Sequence, residues 1–228
     1  PASELSPAEL IRWMVGRDLE EEFPPRTPAP GAVVLEADGL LGGASIEVRA
    51  GEIVGLAGLV GAGRSKTGLS LFGARPTDGT IRLDGRAVTF RGPADALAAG
   101  VAYLTEDRKT LGLVLDHSIR NNYAMPSLGR LSQFGLVQHR KIDAESQEYM
   151  DKLNIKAPSI QTLTRQLSGG NQQKAVVAKW LGAQAKVLIF DEPTRGIDIN
   201  GRREIYRLME ELLRQGVGIL MLTSDYTE

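Results

Sequence analysis

Three stretches of this chain combine residue types and spacings suited to phosphate chemistry. The first is "GLVGAGRSK", residues 58–66, which fits the phosphate-loop pattern G-x-x-x-x-G-K-[ST] except that Arg64 stands at the lysine position. Gly58, Gly61 and Gly63, with Ala62 between them, let backbone N–H groups turn around phosphate oxygens, and a following helix would add the positive end of its dipole. Arg64 keeps the lysine's charge, but its longer planar fork does not fit the same small cradle. Lys66 is no replacement, since two residues along a helix turn it by roughly 200°. Ser65 is left as the loop's candidate magnesium ligand. On the loop alone, a glycine-rich turn with no ligand is the competing explanation. The second stretch is "VLIFDEP". Asp191 ends an apolar run, where it can hold magnesium through water, and Glu192 can orient or deprotonate an attacking water. Paired acids at a strand end can also act only as helix caps. The third is "LSGGNQQK", residues 167–174. Ser168 caps a helix while Gly169 and Gly170 leave its N–H groups uncovered, which makes a second anion-binding helix end.

These motifs need strands behind them and helices after them, and the chain supplies both. "EIVGLAG" is a predicted strand running into the glycine loop. "KVLIFDEPT" and "VGILMLTS" read as buried parallel strands, and "VAYLTE" as a strand ending at Glu106. "VVLEA" and "ASIEVRAG" are further strands, and "TIRLDGRAVTF" is a hairpin turning at Asp84-Gly85. "ADALAAG" is a short helix. Between Glu106 and Ser168 no strand is predicted. Helical stretches stand there instead, such as "IDAESQEYMDKLNI" with Ile142, Tyr149, Met150 and Leu153 near one face. Helices follow at "NQQKAVVAKWLGA" and at "NGRREIYRLMEELLRQG". In the latter Ile205, Leu208, Met209, Leu212 and Leu213 face inward and Gly216 ends the helix. The alternation predicts an α/β fold, a mainly parallel sheet with helices on both faces, decorated by a β-hairpin edge and a helical insertion.

Composition narrows the partners. A net charge of -1 argues against a nucleic-acid partner, and the absence of cysteine excludes disulfides and thiolate metal sites. No apolar run approaches the roughly 18–20 residues that span a bilayer. "SPAE" at residues 6–9 is a capping box ahead of "LIRWMV", and "EEEFPPRTPAPG" is an extended linker. A start at Pro1 makes a piece of a longer polypeptide the expectation.

The order of loop, "LSGGN" and Asp-Glu, with the second about twenty residues before the third, resembles the ATPases of ABC transporters. That resemblance implies a P-loop NTPase (RecA-like) core with an antiparallel β subdomain and an inserted α-helical subdomain. The cassette would cover residues 32–228, its helical part about 108–175, and would continue past Glu228. ATP and Mg2+ are the implied ligands. Ser168, Gly169, Gly170, Asn171 and Gln172 would grip the terminal phosphate of ATP held by an opposing cassette, with Asp198 also retained. "NQQK", "TEDRKTLGLV" and "DEPTRGIDI" look like the second cassette of the double-cassette proteins of bacterial monosaccharide importers, with nucleoside importers nearby. "LIRWMVGRDLEEEFP" resembles their linker, which assigns residues 1–31 to an inter-cassette segment. The implied partners are a first cassette on the same polypeptide, transmembrane permease subunits and, indirectly, a periplasmic sugar-binding protein. The implied location is the cytoplasmic face of the bacterial inner membrane. ABC proteins that act on ribosomes or DNA carry coiled-coil inserts or basic linkers, which this chain lacks.

Four positions depart from the family pattern. Arg64 replaces the loop lysine, and Glu106 stands where a glutamine senses magnesium and water. Ser224 stands where a histidine contacts the terminal phosphate, and "GLLGGAS" lacks an aromatic for adenine to stack on. His117 and His139 fall in the helical insertion and cannot substitute. With Glu192, the positions Glu106 and Ser224 complete the expected catalytic set. The losses weaken the site on this chain's own loop, whereas the retained signature serves a partner's. The expectation is therefore a degenerate cassette that donates its signature, with residues 107–125 meeting the permease. A fully competent ATPase using Arg64 and a purely structural half are the alternatives.

Overall fold

The computed structural model describes residues 30–40, 43–59 and 61–225, apart from the side chains of Ile199 and Asn200. The expected helix and linker before residue 30 lie outside the described residues.

Four apolar segments form one parallel sheet. β3 (Ile53–Ala57), β6 (Val101–Leu104), β9 (Val187–Asp191) and β10 (Gly218–Thr223) lie in the order β3-β10-β9-β6, with every neighbouring pair parallel. β6, β9 and β10 are buried along their whole length, which is why they read as unbroken apolar runs. Alternate residues of these strands enter two different cores. Leu104, Leu188, Phe190 and Met221 pack with helical residues such as Tyr123, Val176 and Ile205. Tyr103, Ile189, Leu220 and Leu222 pack with Leu71, Phe72 and a second sheet.

That second sheet is the antiparallel subdomain the resemblance implies, and it corrects only the expected placement of the hairpin. β1 (Val33–Leu40), β2 (Ala44–Arg49), β4 (Thr80–Leu83) and β5 (Arg86–Val88) form a separate antiparallel sheet in the order β2-β1-β4-β5. The hairpin is thus no edge of the parallel sheet, because its first strand pairs with β1. One face of the parallel sheet is shared between helix and strand instead of being covered by helices alone. The burial of β2 alternates, as suits a sheet with one wet face. Asp84 and Gly85 both have positive φ, 50° and 74°, the primed turn that a two-residue hairpin needs.

Between the sheets and around them run six α-helices among the described residues: α1 (Arg64–Leu71), α2 (Pro93–Ala98), α3 (Ile119–Ala124), α4 (His139–Lys152), α5 (Gly169–Leu181) and α6 (Ile199–Arg214). Ile142, Met150 and Leu153 are buried, with Tyr149 packed beside them. On α6, Ile205, Leu208 and Met209 are buried and Leu212 and Leu213 pack against the same core. Two departures occur in the insertion. β6 stops at Leu104, so Glu106 lies on the loop beyond it, followed by one π-helical turn at Arg108–Gly112 that Asp107 caps. A small hairpin, β7 (Ser132–Gln133) with β8 (Leu136–Val137), stands where no strand is predicted. Two-residue strands are too short for alternation to register in the sequence. Among the described residues no helix is long and apolar enough to cross a membrane.

Candidate nucleotide site

The glycine loop joins the end of β3 to the start of α1. Gly61 and Gly63 have φ of 90° and 94°, a conformation that side-chain-bearing residues rarely adopt, and a Cβ on either would meet only open space. Gly63 is the N-cap residue of α1. No side chain caps that helix and no acid lies in its first turn, so its N–H groups are free for an anion. Gly61, Gly63, Arg64, Ser65, Lys66, Glu106, Glu192 and Arg195 line a cavity of about 210 Å³. Lys66 thus borders this cavity, although helical geometry turns its side chain away from the position of Arg64. Val60, and Leu41 and Gly42 in the stretch read for an adenine-stacking aromatic, lie outside the described residues.

Asp191 ends β9 almost fully buried. Its Oδ2 accepts a hydrogen bond of 2.5 Å from the Tyr103 hydroxyl, and its Oδ1 is buried with no hydrogen-bond partner. Burial pushes the carboxyl above the usual carboxylate range, with Tyr103 and Ser65 pulling the other way. Burial, then Asp191 itself, pushes the Tyr103 phenol well up. An unsatisfied carboxylate oxygen close to a serine hydroxyl is a hard-oxygen donor pair that fits magnesium. Among the described residues no cluster of three or more His, Cys, Asp or Glu forms a metal cage, so most of the ion's ligands would be water and phosphate.

Glu192 is held differently. Its backbone sits at φ 48° and its N–H donates to Leu222 O at 2.9 Å. Its Oε1 accepts from Arg64 Nη1 and from the Ser224 backbone N–H, both at 2.8 Å. The Arg64 and Glu192 side chains are only 10% and 9% exposed. Ser224 therefore reaches the site through its amide. Glu106 forms an ion pair with Arg195 on the more exposed side of the cavity.

The signature lies elsewhere. Ser168 caps α5, accepting from the Asn171 N–H, and no acid stands in the first turn. Asn171 spends its side chain locally, donating to Ser168 Oγ at 2.9 Å and accepting from Lys156 N at 2.9 Å. Gln172 is buried and donates to Thr164 O at 3.1 Å, so its side chain anchors the helix instead of facing outward. Gly169 and Gly170 stay partly exposed, and none of Ser168–Gln172 borders the loop cavity. Asp198 caps α6, accepting from Gly201 N at 2.7 Å, and also stands off the cavity. His117 and His139 are both exposed in the insertion.

Sequence reasoning missed Tyr103, Arg195 and the contacts of Arg108. Tyr103 meets Asp191 only because β6 lies beside β9, with Tyr103 in register with Ile189. The Arg108 guanidinium fills the space beside Gly169 and Gly196. A Cβ on Gly169 would lie 2.9 Å from Nη2 and one on Gly196 3.5 Å from Nη1. Arginine in "DEPTR" and in "EDRK" was the available signal, but arginines on loops are usually solvated.

A phosphate loop between a parallel strand and a helix, with an Asp-Glu pair ending a second strand of the same sheet, defines the P-loop class of nucleotide-binding folds. Residues 41–195 match the model of the ABC transporter family, and the chain belongs to that family. It is 46% identical over 230 residues to the ribose import ATP-binding protein RbsA of Bacillus licheniformis, covering 96% of this chain and 46% of that protein. It is likewise 46% identical to the protein of that name in Bacillus subtilis, over 96% of this chain and 46% of the relative. With a putative ribose/galactose/methyl galactoside import ATP-binding protein of Agrobacterium fabrum it shares 44% identity, over 96% of this chain and 45% of the relative. The chain thus spans about half the length of the curated relatives it matches. Among solved structures, a nucleotide-free ATP-binding cassette from an ABC transporter superposes with a TM-score of 0.69 at 18% identity, over 84% of this chain and 81% of that one. The cbiO1 protein of Clostridium perfringens does so with 0.68 at 20% identity, over 86% and 80%. These likenesses establish the fold, a P-loop core with an antiparallel sheet and added helices.

Proposed function

We propose that this chain is the second ATP-binding cassette of a bacterial importer for a sugar of the ribose or galactose class. It binds ATP and Mg2+ weakly at its own loop and hydrolyses little there. It donates Ser168–Asn171 to a nucleotide held by a first cassette on the same polypeptide. The observation that carries this reading is the separation of the two phosphate-binding elements. The loop cavity is bordered by Arg64, Glu106, Glu192 and Arg195, and the signature helix start lies outside it with no acid in its first turn. An anion-binding helix end that cannot serve its own chain's site is available to another's. At the loop, Gly61, Gly63 and the uncapped α1 would hold phosphates, and Asp191 with Ser65 would hold magnesium, which supplies charge neutralisation when bound.

The permease contact falls on residues 107–125 and their neighbours. A groove of about 330 Å³ is lined by Phe72, Leu97, Leu111, Val114, Met125 and Trp180 among others. Leu111 is 65% exposed and Val114 and Met125 are exposed beside it, a grouping of apolar surface that suits an interaction site. The permease subunits place the cassette at the cytoplasmic face of the inner membrane, and a periplasmic binding protein would deliver the sugar to them.

The test uses the double-cassette polypeptide with its permease. Ser168→Ala or Gly169→Ala should cut transport-coupled hydrolysis by about 100-fold or more, the scale for losing a transition-state anion contact. Arg64→Ala should cost much less. Equal losses would contradict the asymmetry. An isolated chain turning over ATP at about 1 per second would instead indicate a fully competent cassette.

A further inference from the structure

We propose that the site on this chain's loop takes a nucleoside diphosphate in preference to the triphosphate, because the Arg64–Glu192 ion pair closes the end of the cavity that a third phosphate would enter. The inference rests on the reading of residues 58–65 as a nucleotide site. Two unlike kinds of group line the cavity. Gly61, Gly63 and Ser65 present the loop and the uncapped start of α1, and Lys66 borders the same space. Lys66 is exposed and has no ion-pair partner among the described residues, so its charge is available to phosphate. The same cavity is lined by two carboxylates, each already matched to one arginine: Glu192 to Arg64 and Glu106 to Arg195.

The pairing is what discriminates. In the proposed binding mode a phosphate chain lies along the loop amides, and its third phosphate meets Glu192. Two phosphates are served by the loop amides, the helix end and Lys66. A third adds charge against Glu192, and its natural counter-ion, Arg64, is spent on that same carboxylate. Freeing Arg64 would leave a nearly buried glutamate without its cation, a costly state. Glu192 cannot swing aside to relieve this. Its Oε1 is also held by the Ser224 amide, and its backbone is fixed by the bond to Leu222 O in a left-handed conformation. A lysine at position 64 would carry its charge on a shorter, flexible stem, whereas Arg64 reaches Glu192 Oε1 through Nη1. The arginine thus gives the site a ligand preference, in addition to removing a lysine.

Equilibrium titration of the 228-residue chain with Mg-ADP, and with magnesium and a non-hydrolysable ATP analogue, tests this. The expected result is binding of ADP about tenfold tighter than the analogue, an amount a displaced ion pair can account for. Arg64→Lys and Glu192→Gln should each bring the ratio near unity, by tightening the analogue more than ADP. Glu192→Gln should have a smaller effect in the Arg64→Lys background than in the unaltered chain, because the two changes share one interaction. Equal or tighter binding of the analogue by the unaltered chain would overturn the proposal. So would a preference for ADP that survives both substitutions, or effects that simply add. Failure of both nucleotides to bind would overturn the nucleotide-site reading itself, and the proposal with it. Thermal unfolding of each variant without nucleotide identifies a change that merely unfolds the chain, and Glu192→Gln, which keeps side-chain size, retains a decisive arm.

Discussion

At the scale of single residues, the site is a set of acids whose partners differ in kind. Asp191 is held by a neutral donor, Tyr103, and keeps one oxygen unsatisfied, which suits an ion that supplies its own charge. Glu192 is held by a cation and an amide on the same oxygen. Removing the neutral donor has a distinct signature. Tyr103→Phe should destabilise the fold by about 1–3 kcal/mol, since the Oδ2 of a buried carboxylate would then lose its Tyr103 donor. It should also weaken magnesium-dependent nucleotide binding more than magnesium-free binding. Denaturant unfolding and titration with and without magnesium measure the two effects, and equal weakening in both would remove Tyr103 from the magnesium side of the site. Both acids were legible in the sequence as charges ending an apolar strand. Tyr103 was not, because its role depends on a neighbouring strand 88 positions away.

At the scale of elements, close approach of α1 to the parallel sheet positions the loop. A Cβ on Gly68 would lie 2.7 Å from Leu222 Cδ1 and 2.8 Å from Tyr103 Cε2. Gly68→Ala should therefore cost about 1–3 kcal/mol by overpacking, despite its better helix propensity. Because the clash falls on Tyr103, magnesium-dependent binding should weaken with it. A melting temperature equal to or above the parent's would contradict the close packing. The helical insertion is held by a polar network of its own. Glu145 accepts from Tyr123 at 2.8 Å and from Arg130 at 2.8 and 2.5 Å, and Arg130 also donates to Gly182 O at 2.9 Å. Arg130 first, with help from Tyr123, holds the Glu145 carboxyl below the usual range. A lowered carboxyl stabilises fully above the ordinary carboxylate range, and that contribution is lost as pH falls through the lowered value. Glu145→Gln should cost about 1 kcal/mol at neutral pH, as for a partly exposed pair, and flatten the acid limb of the stability curve. A stability difference between parent and variant that persists at pH 2 would exclude this carboxylate as its source.

At the scale of the whole molecule, the question is how three separated surfaces act together. Gln173, one residue past the signature, donates to Pro193 O at 3.2 Å, so α5 is tied to the loop that follows Asp191-Glu192. Lys174 pairs with Glu204 and joins α5 to α6. The signature and the strand-end acids thus rest on one frame. The exposed groove around Leu111 lies on that frame too, since Lys179 of α5 donates to Gly112 O at 2.9 Å beneath it. Leu111→Asp should leave stability within about 0.5 kcal/mol, as at other exposed positions. It should also leave nucleotide affinity of the isolated chain unchanged and, on the proposed function, weaken association with the permease. Unimpaired co-purification of the permease would remove the groove from the interface.

The sequence by itself determined the local chemistry of this protein. Glycines preset the loop's backbone, an apolar run ending in two acids identifies a buried strand, and Ser168 caps a helix whose glycines leave its N–H groups open. Each of these depends on neighbours a few residues away, which a linear reading can weigh. Tertiary structure alone decided which charges meet. Arg64 and Glu192 lie 128 positions apart, and only the adjacency of β3, β10 and β9 brings the loop's arginine to the strand-end acid. Pairing of β4 with β1 set the hairpin on a second sheet, and the adjacency of β10 and β9 turned Ser224 toward Glu192 through its backbone. Ion pairs are chosen by distance in space, and strand order, which no local pattern encodes, sets that distance.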